Sequence, residues 1–153
     1  MKTCLVGCGG IAAVHGSVLA SGIDTEFVAA ADIKPEKAQT YAENFHTKPY
    51  PPHESMLDAE KPDVLHICTP HYLHVPMTIY ALERNINVFM EKPPAISFDQ
   101  LEELKKAAAK SEAQLGFCYQ NRYNASIRAA KDLIESGKAG KVLGARAFGT
   151  WCR

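Results

Sequence analysis

The chain reads as an α/β protein: a doubly wound parallel sheet with helices on both faces. Two observations predict this. Short apolar runs alternate with stretches of helical period, and the first run passes straight into a glycine-rich turn, Gly7-Cys8-Gly9-Gly10, that opens the first helix. The 153 residues are 46% hydrophobic and 22% charged, enough for one ordinary core.

The elements follow in order. Residues 2–6 form a strand and 10–21 a helix. Residues 25–31 form a second strand, and Pro35 suits the first turn of a helix running to about Phe45. A turn-rich stretch with Pro49, Pro51 and Pro52 comes next. Residues 63–68 form a third clear strand, 74–84 a helix and 86–90 another strand. Ser97-Phe98-Asp99-Gln100 has capping-box spacing and starts a helix with Phe98, Leu101 and Leu104 on one face. Leu115 to Cys118 is a strand, and Ile127, Ala130, Leu133 and Ile134 mark a last helix closed by Gly137. Residues 141–152 read as one more strand, expected to begin a different sheet. Carrying Val142, Leu143, Phe148 and Trp151 without partners, it is expected to pair with another chain or to fray. The domain reading is therefore 1–120 for the dinucleotide-binding sheet, 121–140 for a connecting loop and helix, and 141–153 for the start of a second α+β domain.

Lysine plus arginine equals aspartate plus glutamate at 17 each, so no net field favours nucleic acid or an anionic membrane. No apolar run reaches the roughly 18 residues of a membrane span. The opening Met1–Gly7 lacks the apolar core of a signal peptide, and a cytoplasmic setting is expected. The five cysteines, at 4, 8, 68, 118 and 152, show no C-x-x-C pair, which fits reduced thiols and gives no zinc-ligand spacing. No metal is expected. His71 and His74 stand three apart without an evident third ligand, and His74 reads as a packed or capping residue. His66, inside an apolar strand, reads as a satisfied core residue.

The chemistry-bearing pattern is Gly7-Cys8-Gly9-Gly10-Ile11-Ala12, a G-x-G-x-x-A run after a strand and before a helix. Gly7 permits the tight turn, Gly9 lets a pyrophosphate approach the backbone, and Ala12 allows close helix–strand packing. Asp32 ends the second strand, where a carboxylate accepts hydrogen bonds from ribose hydroxyls and repels a 2′-phosphate. NAD is therefore favoured over NADP, although Lys34 and Lys37 stand nearby. Asp32 could alternatively cap the next helix; Pro35 argues for Lys34 in that place. Asn87-Val88-Phe89-Met90 then ends abruptly in Glu91-Lys92-Pro93-Pro94. In isolation that is a solvated charge pair before a helix.

The glycine run with His15 after it, Asp32, the strand Val64-Leu65-His66-Ile67-Cys68 with Thr69-Pro70 leading to His74, Glu91-Lys92-Pro93, and Arg122 before the last helix stand in a specific order and spacing. In these residues the chain resembles the glucose-fructose oxidoreductase / inositol dehydrogenase / MocA-like (Gfo/Idh/MocA) oxidoreductases. The resemblance implies a Rossmann-type fold and an NAD(P)-dependent enzyme acting on a hydroxyl carbon of a sugar, polyol or related small molecule, in a homo-oligomer. It implies Lys92 as the catalytic residue, supporting the substrate oxygen as hydride leaves. It implies cofactor contacts from the glycine run, Asp32, Thr69, Pro70, His71, His74, Glu91 and Lys92. His71 stands where many members carry asparagine. Gln120, Asn121 and Arg122 follow a strand and are expected either to face substrate or to form a polar loop. Members are about twice this length, and no D-x-G-x-H pattern for proton transfer occurs here, so this chain is expected to hold cofactor but turn over poorly alone. Two other readings stand beside this one: a dinucleotide-sensing regulatory protein without activity, and a lyase or glycosidase that uses NAD transiently.

Overall fold

A computed structural model describes residues 1–146 and 148 of the chain. The first run, Lys2–Val6 (β1), passes through the glycine turn into helix Ala12–Ala20 (α1). Glu26–Ala31 (β2), Pro35–Phe45 (α2), Lys48–Tyr50 (β3) and His53–Glu60 (α3) follow, then Val64–Ile67 (β4), His74–Leu82 (α4), Asn87–Glu91 (β5), Phe98–Lys110 (α5) and Leu115–Cys118 (β6). The six strands form one sheet in the order β3-β2-β1-β4-β5-β6, and every neighbouring pair is parallel.

Alternation along each strand supplies two apolar faces. Cys4, Val6, Ala29, Ala31, Leu65, Ile67, Val88 and Met90 pack with Met56, Leu57, Val75, Leu82 and Leu104 from α3, α4 and α5. Leu5, Ala30 and Cys68 face the other way, onto Ala12 and Leu19 of α1 and Tyr41 of α2. Gly16 makes that second face close-packed: a Cβ there would lie 2.3 Å from the Tyr41 hydroxyl and 2.7 Å from Phe45 Cε2. The Tyr41 hydroxyl cannot retreat cheaply, because it donates to Ala12 O at 2.6 Å.

Two elements were not visible in the sequence. β3 carries Pro49, which survives because β3 is an edge strand bonded only to β2. α3 is short, follows Pro51 and Pro52, and buries Met56, Leu57 and Glu60. Glu60 accepts from Lys48 Nζ (2.8 Å) and Tyr50 OH (2.7 Å) and pairs with Lys2 Nζ (3.1 Å), tying α3 to β1 and β3. Hydrogen bonds from Lys48 and then Tyr50 hold its carboxyl down at about 2 instead of 4.5. The folded value lies below the unfolded one, so this stabilisation is complete above pH 4.5 and is lost as pH falls towards 2. Glu60→Gln is expected to cost about 1–2 kcal/mol at neutral pH. The loss should shrink in urea melts repeated through the acid range.

One helix face departs from its pattern. Leu104 is buried as expected, but Phe98, the first residue of α5, is 87% exposed. Ser97 caps α5 by accepting from Gln100 N, while Gln100 Oε1 reaches back to Ile96 N.

The chain divides into two compact units, Met1–Cys118 and a second that opens at Tyr119. In the second, a short 3-10 turn at Gln120–Tyr123 precedes helix Ala125–Glu135 (α6), which exposes Ile127, Leu133 and Ile134. Residues 141–146 form no strand, contrary to the expectation for 141–152. A strand needs a hydrogen-bonded neighbour, and none pairs with them among the described residues. Residues 147 and 149–152 of that stretch lie outside the described residues. No helix among the described residues is long and apolar enough to cross a membrane.

Candidate functional site

The sheet register brings the marked residues of the first unit to one edge. Val6 pairs with Ala31 and Ile67, Ile67 with Met90, and Glu91 with Cys118. The next residues along β1, β2, β4 and β5 are therefore Gly7, Asp32, Cys68-Thr69 and Lys92, side by side at the carboxyl ends. The chain runs outward from β1 to β3, then crosses to β4 on the other side. That reversal between β1 and β4 opens the crevice where parallel α/β sheets take ligands.

The glycine turn is built by contact as well as by flexibility. Gly7 has φ +92°, and a Cβ on it would sit 2.7 Å from Cys68 C and 2.8 Å from Thr69 N. Its N–H donates to Ala31 O at 2.8 Å. Gly9 and Gly10 are exposed, and a Cβ on either would meet nothing within 4 Å. Helix α1 starts without a side-chain cap, so its first N–H groups suit an anion. Ala12 is fully buried, as close helix–strand packing requires.

Asp32 is bound into this turn. Its Oδ2 accepts the Cys8 N–H and its Oδ1 the Lys34 N–H, each at 2.9 Å. The helix cap of α2 is Lys34, with Pro35 following, so Asp32 braces the loop between β2 and α2 and is aimed by Cys8. Burial, reinforced by the Asp32 charge, pushes the Cys8 thiol up to about 12. Cys8 therefore contributes backbone here and no thiolate.

Thr69 and Pro70 line the β4 side. Thr69 Oγ1 is buried and has no hydrogen-bond partner among the described residues. A buried hydroxyl without a protein partner can take one from a water or a bound group. His71 lies exposed on the 3-10 turn His71–Leu73. His74, which the resemblance implied as a cofactor contact, is 0% exposed. Its Nδ1 lies 2.8 Å from Pro93 O and its Nε2 3.0 Å from Thr69 O. It braces the turn after β4 against the turn after β5.

The stretch Glu91-Lys92-Pro93 is held from several sides. The Lys92–Pro93 bond is cis. Lys92 N–H reaches Glu91 Oε2 at 3.2 Å, while the Lys92 side chain is exposed at the edge. Glu91 is 4% exposed, and its Oε1 lies 3.1 Å from His15 Nε2. Burial works to raise the Glu91 carboxyl, but hydrogen bonds from His15 and Cys118 outweigh it and hold it below its usual range. His15 Nδ1 in turn lies 3.2 Å from His66 Nδ1. Burial, with His15 beside it, pushes His66 down to about 4, so that ring is neutral near pH 7. The sequence marked His15 only by family position and His66 as a core residue; nothing in their spacing showed that they meet Glu91. Gln120, Asn121 and Arg122 stand on the 3-10 turn of the second unit.

These features fit a dinucleotide: an uncapped helix start, an open glycine surface, an aimed carboxylate and an unpartnered hydroxyl. The comparisons agree. The family model described as the oxidoreductase family with an NAD-binding Rossmann fold matches residues 1–119. D-glucoside 3-dehydrogenase of Escherichia coli is 30% identical over 144 residues, covering 93% of this chain and 41% of that protein. 2,7-Anhydro-N-acetylneuraminate hydratase of Mediterraneibacter gnavus is 31% identical over 146 residues, covering 94% of this chain and 38% of its own length. The WlbA dehydrogenase of Bordetella pertussis, solved with NADH and UDP-GlcNAcA, superposes with a TM-score of 0.87 at 30% identity. That match covers 91% of this chain and 43% of the other. The chain thus spans about two fifths of the length of the relatives it matches.

Proposed function

Because the chain belongs to the Gfo/Idh/MocA oxidoreductase family with its NAD-binding Rossmann fold, we propose that it is the cofactor-holding part of an enzyme that moves hydride between a nicotinamide and a hydroxyl carbon of a sugar or polyol. The observation that carries this reading is the convergence of Gly7, Asp32, Thr69 and Lys92 at the carboxyl ends of β1, β2, β4 and β5.

In this reading NAD supplies the hydride acceptor at its nicotinamide. The N–H groups at the start of α1 hold the pyrophosphate, and Gly9 and Gly10 give it room. Asp32 accepts from the ribose hydroxyls, and Thr69 Oγ1 finds its partner on the cofactor. His71 borders the same crevice. Lys92 holds its ammonium beside the substrate oxygen and stabilises the charge that develops there. Glu91 fixes the Lys92 backbone, and His74 fixes the turn that follows. Gln120, Asn121 and Arg122 are assigned to substrate. We further assign the whole protein to the cytoplasm as a homo-oligomer; the exposed Ile127, Leu133, Leu143 and Phe148 fit a buried contact in such an assembly.

The relative named as a hydratase favours one second reading, in which NAD is used transiently and no NADH accumulates. A dinucleotide sensor is disfavoured by Lys92, an ammonium that a sensor does not need. An assay of a chain extended to the relatives' length, with NAD and a panel of sugars and polyols, tests the proposal. NADH should accumulate with the extended chain, while the 153 residues alone bind dinucleotide and turn over poorly. Product without NADH would favour the transient reading. Robust oxidation by the 153 residues alone would sink the division of labour.

A further inference from the structure

We propose that His15, Glu91 and Cys118 form a binding site for a divalent cation of the zinc class. The three residues come from three elements: α1, the end of β5 and the end of β6. One imidazole nitrogen, one carboxylate oxygen and one sulfur lie within 4.8 Å of one another. The His15–Glu91 pair is already closed to 3.1 Å, and the Cys118 thiol donates to the same carboxylate. His15 and Glu91 are buried, and Cys118 is half-buried.

The donor set selects the ion. Magnesium and calcium take oxygen ligands, whereas a mixed nitrogen, oxygen and sulfur set suits zinc. Zinc holds such donors at about 2.0–2.3 Å in a tetrahedron. That sets donor–donor separations of roughly 3.3–3.8 Å, so the cluster has to close by up to about 1.5 Å. Three protein donors leave a fourth position for water.

The surroundings supply the outer support that metal-bound histidines have. Without metal, His15 Nε2–H donates to Glu91 and His15 Nδ1 accepts from His66 Nδ1–H. With metal on Nε2, the His15 proton sits on Nδ1 and donates to His66 Nδ1, while His66 carries its own proton on Nε2. The two rings exchange tautomers. The Cys118 thiol proton passes to solvent as the sulfur–metal bond forms. No step of this changes oxidation state. The bound ion would cross-link α1, β5 and β6 immediately before Lys92. The inference stands apart from the hydride-transfer reading.

The test is a titration of cobalt(II), and then of zinc, into the reduced, metal-stripped 153-residue chain. A sulfur-to-cobalt charge-transfer band in the near ultraviolet should saturate at one cobalt per chain and vanish as zinc displaces it. Zinc should raise the melting temperature. Cys118→Ser should lose both the band and the zinc-induced rise while its metal-free circular dichroism is unchanged; Cys118→Ala serves where the serine variant folds poorly. Cys8→Ser should keep the band. Absence of the band in the wild-type chain overturns the site. So does a band that survives Cys118→Ser or disappears with Cys8→Ser.

Discussion

Gly7→Ala is expected to destabilise the fold by about 2–5 kcal/mol, because it adds a left-handed backbone penalty to an overpacked contact. Gly7 has φ +92°, and its added Cβ would lie 2.7 Å from Cys68 C, 2.8 Å from Cys68 O and 2.8 Å from Thr69 N. All three are backbone atoms at the end of β4, so no side-chain rotation relieves them. Gly9→Ala is the matched control, with open space around its Cβ and no positive φ. Its stability should stay within about 0.5 kcal/mol of the wild type, while its NAD affinity falls because the new methyl occupies the approach of the pyrophosphate. Urea melts paired with NAD titrations separate the two glycines. A Gly7→Ala chain as stable as wild type would contradict the packing account; a Gly9→Ala chain with full NAD affinity would contradict the phosphate account.

Lys92→Met, in a chain extended to the relatives' length, is expected to lower kcat by about 10²–10⁴-fold. Methionine keeps the length of the side chain and removes the ammonium. The backbone at this point is set independently of the side chain, by the Glu91 contact to Lys92 N–H and the His74 contact to Pro93 O. The loss should therefore appear in kcat far more than in NAD affinity, which should change only severalfold. A kcat within about tenfold of wild type would remove Lys92 from the chemistry.

Much of this arrangement was legible in the sequence because local chemistry and the global fold agree. The run from Lys2 to Ala12 carries strand, turn and helix start in eleven letters, and Asp32, Thr69 and Lys92 each follow an apolar strand whose end is plain. What was hidden has physical causes. Pro49 argues against a strand until the edge position of β3 is known. Phe98 follows the helical period of α5 but falls beyond the core it was expected to join. Gly16 looks like a helix defect, and only the approach of Tyr41 and Phe45 explains it. His15, His66, Glu91 and Cys118 are far apart in the chain and meet because the β5–β6 register sets Glu91 beside Cys118 and α1 brings His15 onto Glu91 and His66. His74 carried two readings, a packed or capping residue and a cofactor contact, and only the structure shows two carbonyls at its ring.

The most direct measurement is a calorimetric titration of NAD, then NADP, into the 153-residue chain and its Asp32→Ala variant. The expected result is NAD binding with NADP clearly weaker, and a loss of about 10–100-fold in NAD affinity on removing the carboxylate, the worth of hydrogen bonds to a charged group. Failure of wild-type chain to bind either dinucleotide, or NAD binding indifferent to Asp32, would contradict the assignment of the β1 turn and the β2 end as the cofactor site.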